Sequence, residues 1–199
     1  MKNTNGKKSR GGHQDVRGLI LQTGLDLFTD RGYFNTSIHD IRKEADISIG
    51  SIYHYFKGKE AIAKALYDDL VSSMNKEMAD IVKDHDSARE CSHALILYLF
   101  RMTDNLPTAT KYILHAKHQE FMPDEPPFCS TKPFEMIKTM VEKGIASGEI
   151  RKMNPIVATT CLFGAAFRFI LLHLDGMIQG PLEPYAEEIW DNSWRGVKQ

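Results

Sequence analysis

Residues 36 to 60 read TSIHDIRKEADISIGSIYHYFKGKE, and they hold the side chains best suited to chemistry on a polyanion. Ser48 and Ser51 carry hydroxyls that donate or accept at a base edge, and Ile49 can meet a thymine methyl. Tyr53 and Lys59 are of a kind that adds affinity through phosphate without reading sequence. Gly50 sits among them, where a glycine inside a helix costs about 1 kcal/mol relative to alanine. Close approach of backbone to a nucleic acid is one reason to tolerate it, and a helix-start glycine is the other.

These residues need two short helices at a fixed angle. Thr36 or Ser37 can cap the first, whose apolar face is Ile38, Ile41 and Ala45. Asp46 and Ile47 make the turn, and Ser48 caps a second helix over 49–55 anchored inward by Ile52 and Phe56. That is the build of a helix-turn-helix, whose second helix enters the DNA major groove. Before it, Val16, Leu19, Ile20, Leu27 and Phe28 form one stripe of a helix that begins near His13 and stops at Gly32.

The rest of the chain also reads as helix. A long helix follows Gly58 to about Lys83, striped by Ile62, Leu66, Leu70, Met74, Met78 and Ile81. Further helices are expected over 87–104, 107–121, 132–147, 155–174 and 183–195, with the proline-rich segment 122–130 a loop. The spacing predicts nine helices and no strand, an all-α fold. The helix over 87–104 is apolar almost all round and belongs in the centre. The run from Ile156 to Ile178 contains Thr159, Thr160, Arg168, His173 and Asp175, so it reads as a buried helix and not a membrane span.

Composition narrows the function. The first 60 residues hold ten Lys/Arg against seven Asp/Glu, and the remainder fifteen against nineteen, so a basic end sits on an acidic body. Cys91, Cys129 and Cys161 lie far apart with no metal-ligand or redox spacing, which fits a reducing cytosol; a thiol-based sensor is the lesser reading. No nucleophile–base pair or carboxylate pair stands at useful spacing, so no catalytic residue is expected and the chain does not read as an enzyme. His115, His118 and Glu120 share helical spacing but read as a solvated polar face, so neither a metal nor a cofactor is expected.

The stretch from about 14 to 62 closely resembles the tetracycline-repressor (TetR) family of bacterial regulators. The matching pieces are Leu27-Phe28, Gly32-Tyr33, Thr36-Ser37-Ile38, Asp40-Ile41, Ala45 and IGSIYHYFKGKEAI. The resemblance implies a disordered basic tail over 1–12, a three-helix DNA-binding head over 13–58 and an effector-binding, dimerising body over 59–199. Thr36 and Ser37 then resemble the positions that touch phosphate at the second helix's N-terminus, and Ser48, Ile49, Gly50 and Ser51 match the start of the recognition helix. Tyr53, His54 and Tyr55 match the aromatic cluster on the DNA backbone, and Lys59 the phosphate-binding lysine. Where the family commonly has a lysine or arginine near the recognition-helix start, this chain has Ile49, which leaves its base preference open.

The same resemblance implies a cytoplasmic homodimer on an inverted-repeat double-stranded operator, a repressor released by a small-molecule effector. Candidates for the effector pocket are Met102, Tyr112, His115, Phe121, Phe163, Phe167 and Arg168, the last either meeting an anion or snorkelling at the surface. Small residues Ala158, Gly164 and Ala165, together with Trp190 and Trp194, are the candidates for the dimer interface.

Overall fold

The computed structural model describes residues 15–115, 118–124 and 130–199. The basic tail, including Lys2, Lys7, Lys8 and Arg10, and Cys129 lie outside the described residues. Every expected helix is found within a residue or three of its expected ends. The chain runs α1 Val16–Asp30, α2 Ile38–Glu44, α3 Ile49–Tyr55, α4 Lys59–Asp84 and α5 Ala88–Asn105, then α6 Pro107–His115 and α7 His118–Phe121. It closes with α8 Lys132–Ser147, α9 Pro155–Leu174, a 3-10 turn Glu183–Tyr185 and α10 Ala186–Arg195. The helix expected over 107–121 is thus described as two stretches, α6 and α7, with residues 116 and 117 outside the description. Among the described residues the only β pairing is the isolated bridge Ile150–Lys198.

Local chemistry sets the helix ends. The Asp15 carboxylate accepts from the Gly18 amide at 3.0 Å and starts α1. Gly32 at φ 84° ends it. Ser37, not Thr36, caps α2: its hydroxyl accepts from the Asp40 amide at 3.1 Å while the Asp40 carboxylate accepts from the Ser37 amide at 2.8 Å. Those bonds from Ser37 hold the Asp40 carboxyl below its usual range. Asp46 takes φ 50° in the turn between α2 and α3, a conformation short polar side chains accept better than most.

Two apolar cores are built from these helices. The first joins Ile20 and Phe28 of α1, Ile41 of α2 and Ile52 of α3 to Ile62, Leu66 and Tyr67 of α4 and Tyr112 of α6. The second joins Met74 and Met78 of α4, Leu95 and Phe100 of α5, Val141 of α8, Leu162 and Phe163 of α9, and Trp190 and Trp194 of α10. The long α4 therefore takes part in both. Helix α5 packs on α4, α6, α8, α9 and α10, the central place its apolar circumference implies.

Helix α9 departs from expectation. By length and composition alone it could cross a membrane, yet only 33% of its most apolar window is buried in the chain. Ala158, Leu162, Phe163 and Ala166 face the second core. Ile156, Val157, Thr160, Cys161, Ala165 and Arg168 are exposed, so α9 is covered on one flank rather than all round.

Candidate nucleic-acid interface and ligand cavities

Helix α3 has only two turns, too few to hold itself helical in water. It is fixed from beneath by Ile52, fully buried, and by the buried Phe56 that follows it. At its start the Ser48 hydroxyl accepts from the Ser51 amide at 3.0 Å, and the two hydroxyls lie 2.8 Å apart. This leaves a surface of Ser48, Gly50, Tyr53, His54 and Tyr55, all exposed, with Ile49 and Ser51 half-buried beside them. Tyr53 is 57% and Tyr55 45% exposed, large values for aromatic rings in a folded chain. The His54 ring stands edge-on to Tyr55 at 4.8 Å. A Cβ built on Gly50 would meet only the Ser48 hydroxyl, at 3.7 Å, so the space outside it is open.

The structure divides the remaining head candidates. Ser37 is exposed at the start of α2. Thr36 is 1% exposed, and its hydroxyl donates inward to the carbonyls of Leu27 at 3.2 Å and Gly32 at 3.0 Å. It is a structural pin of the α1–α2 turn and not a surface group, a correction to its expected phosphate contact. Lys59 is half-buried: its ammonium donates to the Tyr33 carbonyl at 2.9 Å and lies 4.1 Å over the Tyr33 ring. Tyr33 is itself buried against Glu60, and burial first, then that carboxylate, pushes its hydroxyl up to about 12. Arg42, Lys43 and Lys57 are further exposed cations of the same motif, and of these only Lys57 carries a sequence signal, the run KGK at 57–59.

The seven effector candidates do not converge on one cavity. Phe163 is buried in the second core, and Phe167 borders a void of about 10 Å³ among Met74, Met78, Leu99 and Ile137. Met102 is half-buried and receives the Tyr98 hydroxyl at 3.6 Å. Tyr112 is buried in the first core and donates to the Ala63 carbonyl at 3.0 Å. Tyr112 also borders a separate cleft beside α1 that His115 and Phe121 line, so three of the seven meet there, and Arg168 is exposed on α9. A larger cavity than that cleft, about 610 Å³, lies instead where the end of α4 and the start of α5 meet α8. Val82, Ala88, Cys91, Met136 and Met140 give it apolar wall, Lys132 and Lys143 give it cations, and Asp86, Glu135 and Glu149 give it carboxylates. Its lining comes from segments spread over residues 75–149, which no local pattern joins. Burial pushes the Cys91 thiol up to about 11, which keeps it protonated and a poor nucleophile at neutral pH.

Two interface candidates are also relocated. Trp190 is 5% and Trp194 7% exposed, both within the core of the single chain. The Trp190 indole donates to the Ser92 hydroxyl at 3.1 Å, and the two indoles stack at 6.4 Å. Their stripe faces α5 and α9, so they give little area to a partner. Ala158 is fully buried too, while Gly164 is half-buried and Ala165 exposed.

His118 is neutral by its setting. Its Nε2 sits 2.8 Å from the Tyr112 carbonyl, which requires the proton there, and its ring packs on Tyr67 at 4.6 Å and Tyr112 at 4.9 Å. Burial lowers its pKa below the usual value of 6.5. The unfolded chain then takes up this proton first as pH falls, so the stability tied to neutral His118 is complete above about 6.5 and lost below it toward the folded-state pKa. A His118→Phe variant should show a flatter fall in Tm between pH 7 and 5 than the parent, measured by thermal melts.

The family model for bacterial regulatory proteins of the tetR family matches residues 20–66, the span of the surface just described. The chain belongs to the tetR family. It is a DNA-binding transcriptional regulator of helix-turn-helix type. The Fatty acid metabolism regulator protein of Bacillus subtilis (strain 168) is 25% identical over 156 residues, which cover 73% of this chain and 76% of that protein. Another curated relative is 33% identical over 82 residues, and the match spans only 28% of its length. The crystal structure of a TetR family transcription regulator from Marinobacter aquaeolei VT8 superposes with TM-score 0.77 at 21% identity, over 92% of this chain and 96% of that one. FadR from Bacillus subtilis in complex with stearoyl-CoA superposes with TM-score 0.73 at 20% identity, over 90% and 98%. At those identities the two structures speak to the all-α fold.

Proposed function

We propose that this regulator is a repressor that binds an inverted-repeat operator as a homodimer and leaves it when a small molecule binds. The observation that carries the reading is the α3 surface: Ser48, Tyr53, His54 and Tyr55 exposed around an open glycine, over a buried anchor. Ser48, Ile49, Gly50 and Ser51 face base edges, and Tyr53, His54, Tyr55, Ser37 and Lys59 hold the phosphates. Lys59 spends one ammonium proton on the Tyr33 carbonyl and keeps two for a phosphate.

In this reading residues 13–58 form the DNA-binding head and 59–199 the body, a division of role, since α4 and α6 complete the head's core. The exposed flank of α9, with Ile156, Val157, Ala165 and Arg168, pairs with its symmetry mate beside α10. A two-fold pair places its recognition helices about 34 Å apart, one turn of DNA. The 610 Å³ cavity is the effector site. The stearoyl-CoA in the FadR structure makes a long-chain acyl thioester the first ligand to try, its chain on the methionine wall and its phosphates near Lys132 and Lys143. Such a chain works in the cytoplasm.

The test is DNA binding by fluorescence anisotropy, on palindromes from promoters near the protein's own gene. Lys59→Ala should weaken binding to every duplex alike and lower the salt slope by about 1. Ser51→Ala should change the ranking of operators. Equal affinities for the parent and both variants would defeat these assignments.

A further inference from the structure

A second cleft, of about 270 Å³, opens where the end of α1 meets α6 and α7. It shares no lining residue with the 610 Å³ cavity. Its walls are aromatic. Tyr33 stacks on Phe121 at 4.0 Å, and Phe34 stands edge-on to Tyr33 at 5.3 Å. Phe34 is 64% exposed, and its ring contacts among the described residues are edge-on, to Tyr33 and Phe121.

The cleft also has a cation with no ion-pair partner among the described residues. Lys111 is half-buried in its wall and makes no hydrogen bond or ion pair among the described residues. The same side chain borders a neighbouring cleft of about 220 Å³, with Thr29, Asp30 and His173, and makes no ion pair with Asp30 either. The Thr29 hydroxyl, in the wall between them, is buried and has no partner either. Taking an ammonium partly out of water without a counter-charge is unfavourable, and an anion placed beside it removes that cost. Glu120, on the same lining, disfavours a dianion. A cleft of this size, walled by aromatic rings with one cation and one carboxylate on its lining, suits a one- or two-ring molecule.

We propose that this cleft is a second ligand site, for a small planar aromatic monocarboxylate whose ring stacks on Phe34 and Phe121 and whose carboxylate pairs with Lys111. Tyr33 makes the site regulatory. Its ring forms the cleft wall while its carbonyl and ring face hold Lys59. A ligand that shifts Tyr33 changes what Lys59 can offer to a phosphate; this coupling, unlike the binding itself, rests on Lys59 as a DNA contact.

The probe is 2-naphthoate, titrated into the full chain by calorimetry, with 2-naphthalenemethanol as the uncharged control. The parent should bind naphthoate saturably and the alcohol at least about tenfold more weakly, the loss of one modest ion pair. Lys111→Met should lose that preference, Lys111→Arg keep it, and Phe34→Ser weaken both ligands. Thr139→Trp, which fills the larger cavity, should change nothing. Absent saturable binding, equal binding by Lys111→Met, or loss in Thr139→Trp alone overturns the site. A chain that takes up naphthoate but ignores every duplex keeps the site and defeats the regulator reading. A chain whose DNA affinity is unmoved by saturating naphthoate defeats the coupling.

Discussion

Gly50→Glu should abolish operator binding while leaving the fold as stable as before or slightly more so. Beyond the adjacent residues and the helix's own backbone, only the Ser48 hydroxyl lies within 4 Å of the added Cβ, at an ordinary contact distance, so the fold leaves room for the new side chain. Glycine is also the poorer helix former, and replacing it returns up to about 1 kcal/mol to α3. The carboxylate, however, points where a phosphate-lined groove must come. Like charges brought together at an interface cost several kcal/mol, so the affinity should fall by roughly a hundredfold or more. Thermal melts and anisotropy on the same preparation separate the two effects. Undiminished DNA affinity in a folded Gly50→Glu chain would show that α3 does not face the duplex.

Ile52→Ala should lose both properties together. Ile52 is fully buried and is the one side chain within α3 that enters the first core. Removing its branched end leaves a cavity and should cost about 2–5 kcal/mol. A two-turn helix cannot survive as an independent unit. The recognition surface should therefore fray before the body melts, giving weaker DNA binding at temperatures where α5, α8 and α9 remain helical. Hydrogen exchange of α3 amides, compared with those of α5, reads this directly. Parent-like protection in α3 would mean the helix is held by something other than Ile52.

The contrast between these variants shows what was legible in the sequence. The helix-turn-helix is local, and its caps, turn and anchors lie within 25 residues, so spacing alone placed them. Thr36 misled because two adjacent hydroxyls precede α2. The deciding sign was Asp40, three residues after Ser37, which completes a reciprocal cap that Thr36 cannot make. Trp190 and Trp194 form a true stripe, but a stripe names a face and not what covers it; here α5 and α9 of the same chain do. The 610 Å³ cavity was not legible because only one of its walls is local, the α8 face from Lys132 to Ser147; the facing residues come from α4, α5 and the turn between them, 40 or more residues earlier in the chain. Nor could Lys59 be seen to fold back on Tyr33, 26 residues away.

The burial of the two indoles has a practical consequence. They are the only tryptophans in the chain, and both belong to the α10 layer. Arg89 lies 5.2 Å over Trp190, and on the same turn of α5 Ala88 and Cys91 wall the large cavity. Ultraviolet emission excited at the indole band therefore comes entirely from the body, next to its main cavity, and none of it from α3. The chain carries its own optical gauge: a small molecule entering that cavity should shift the emission, and a duplex docking at the far core should be seen only through the label on the DNA.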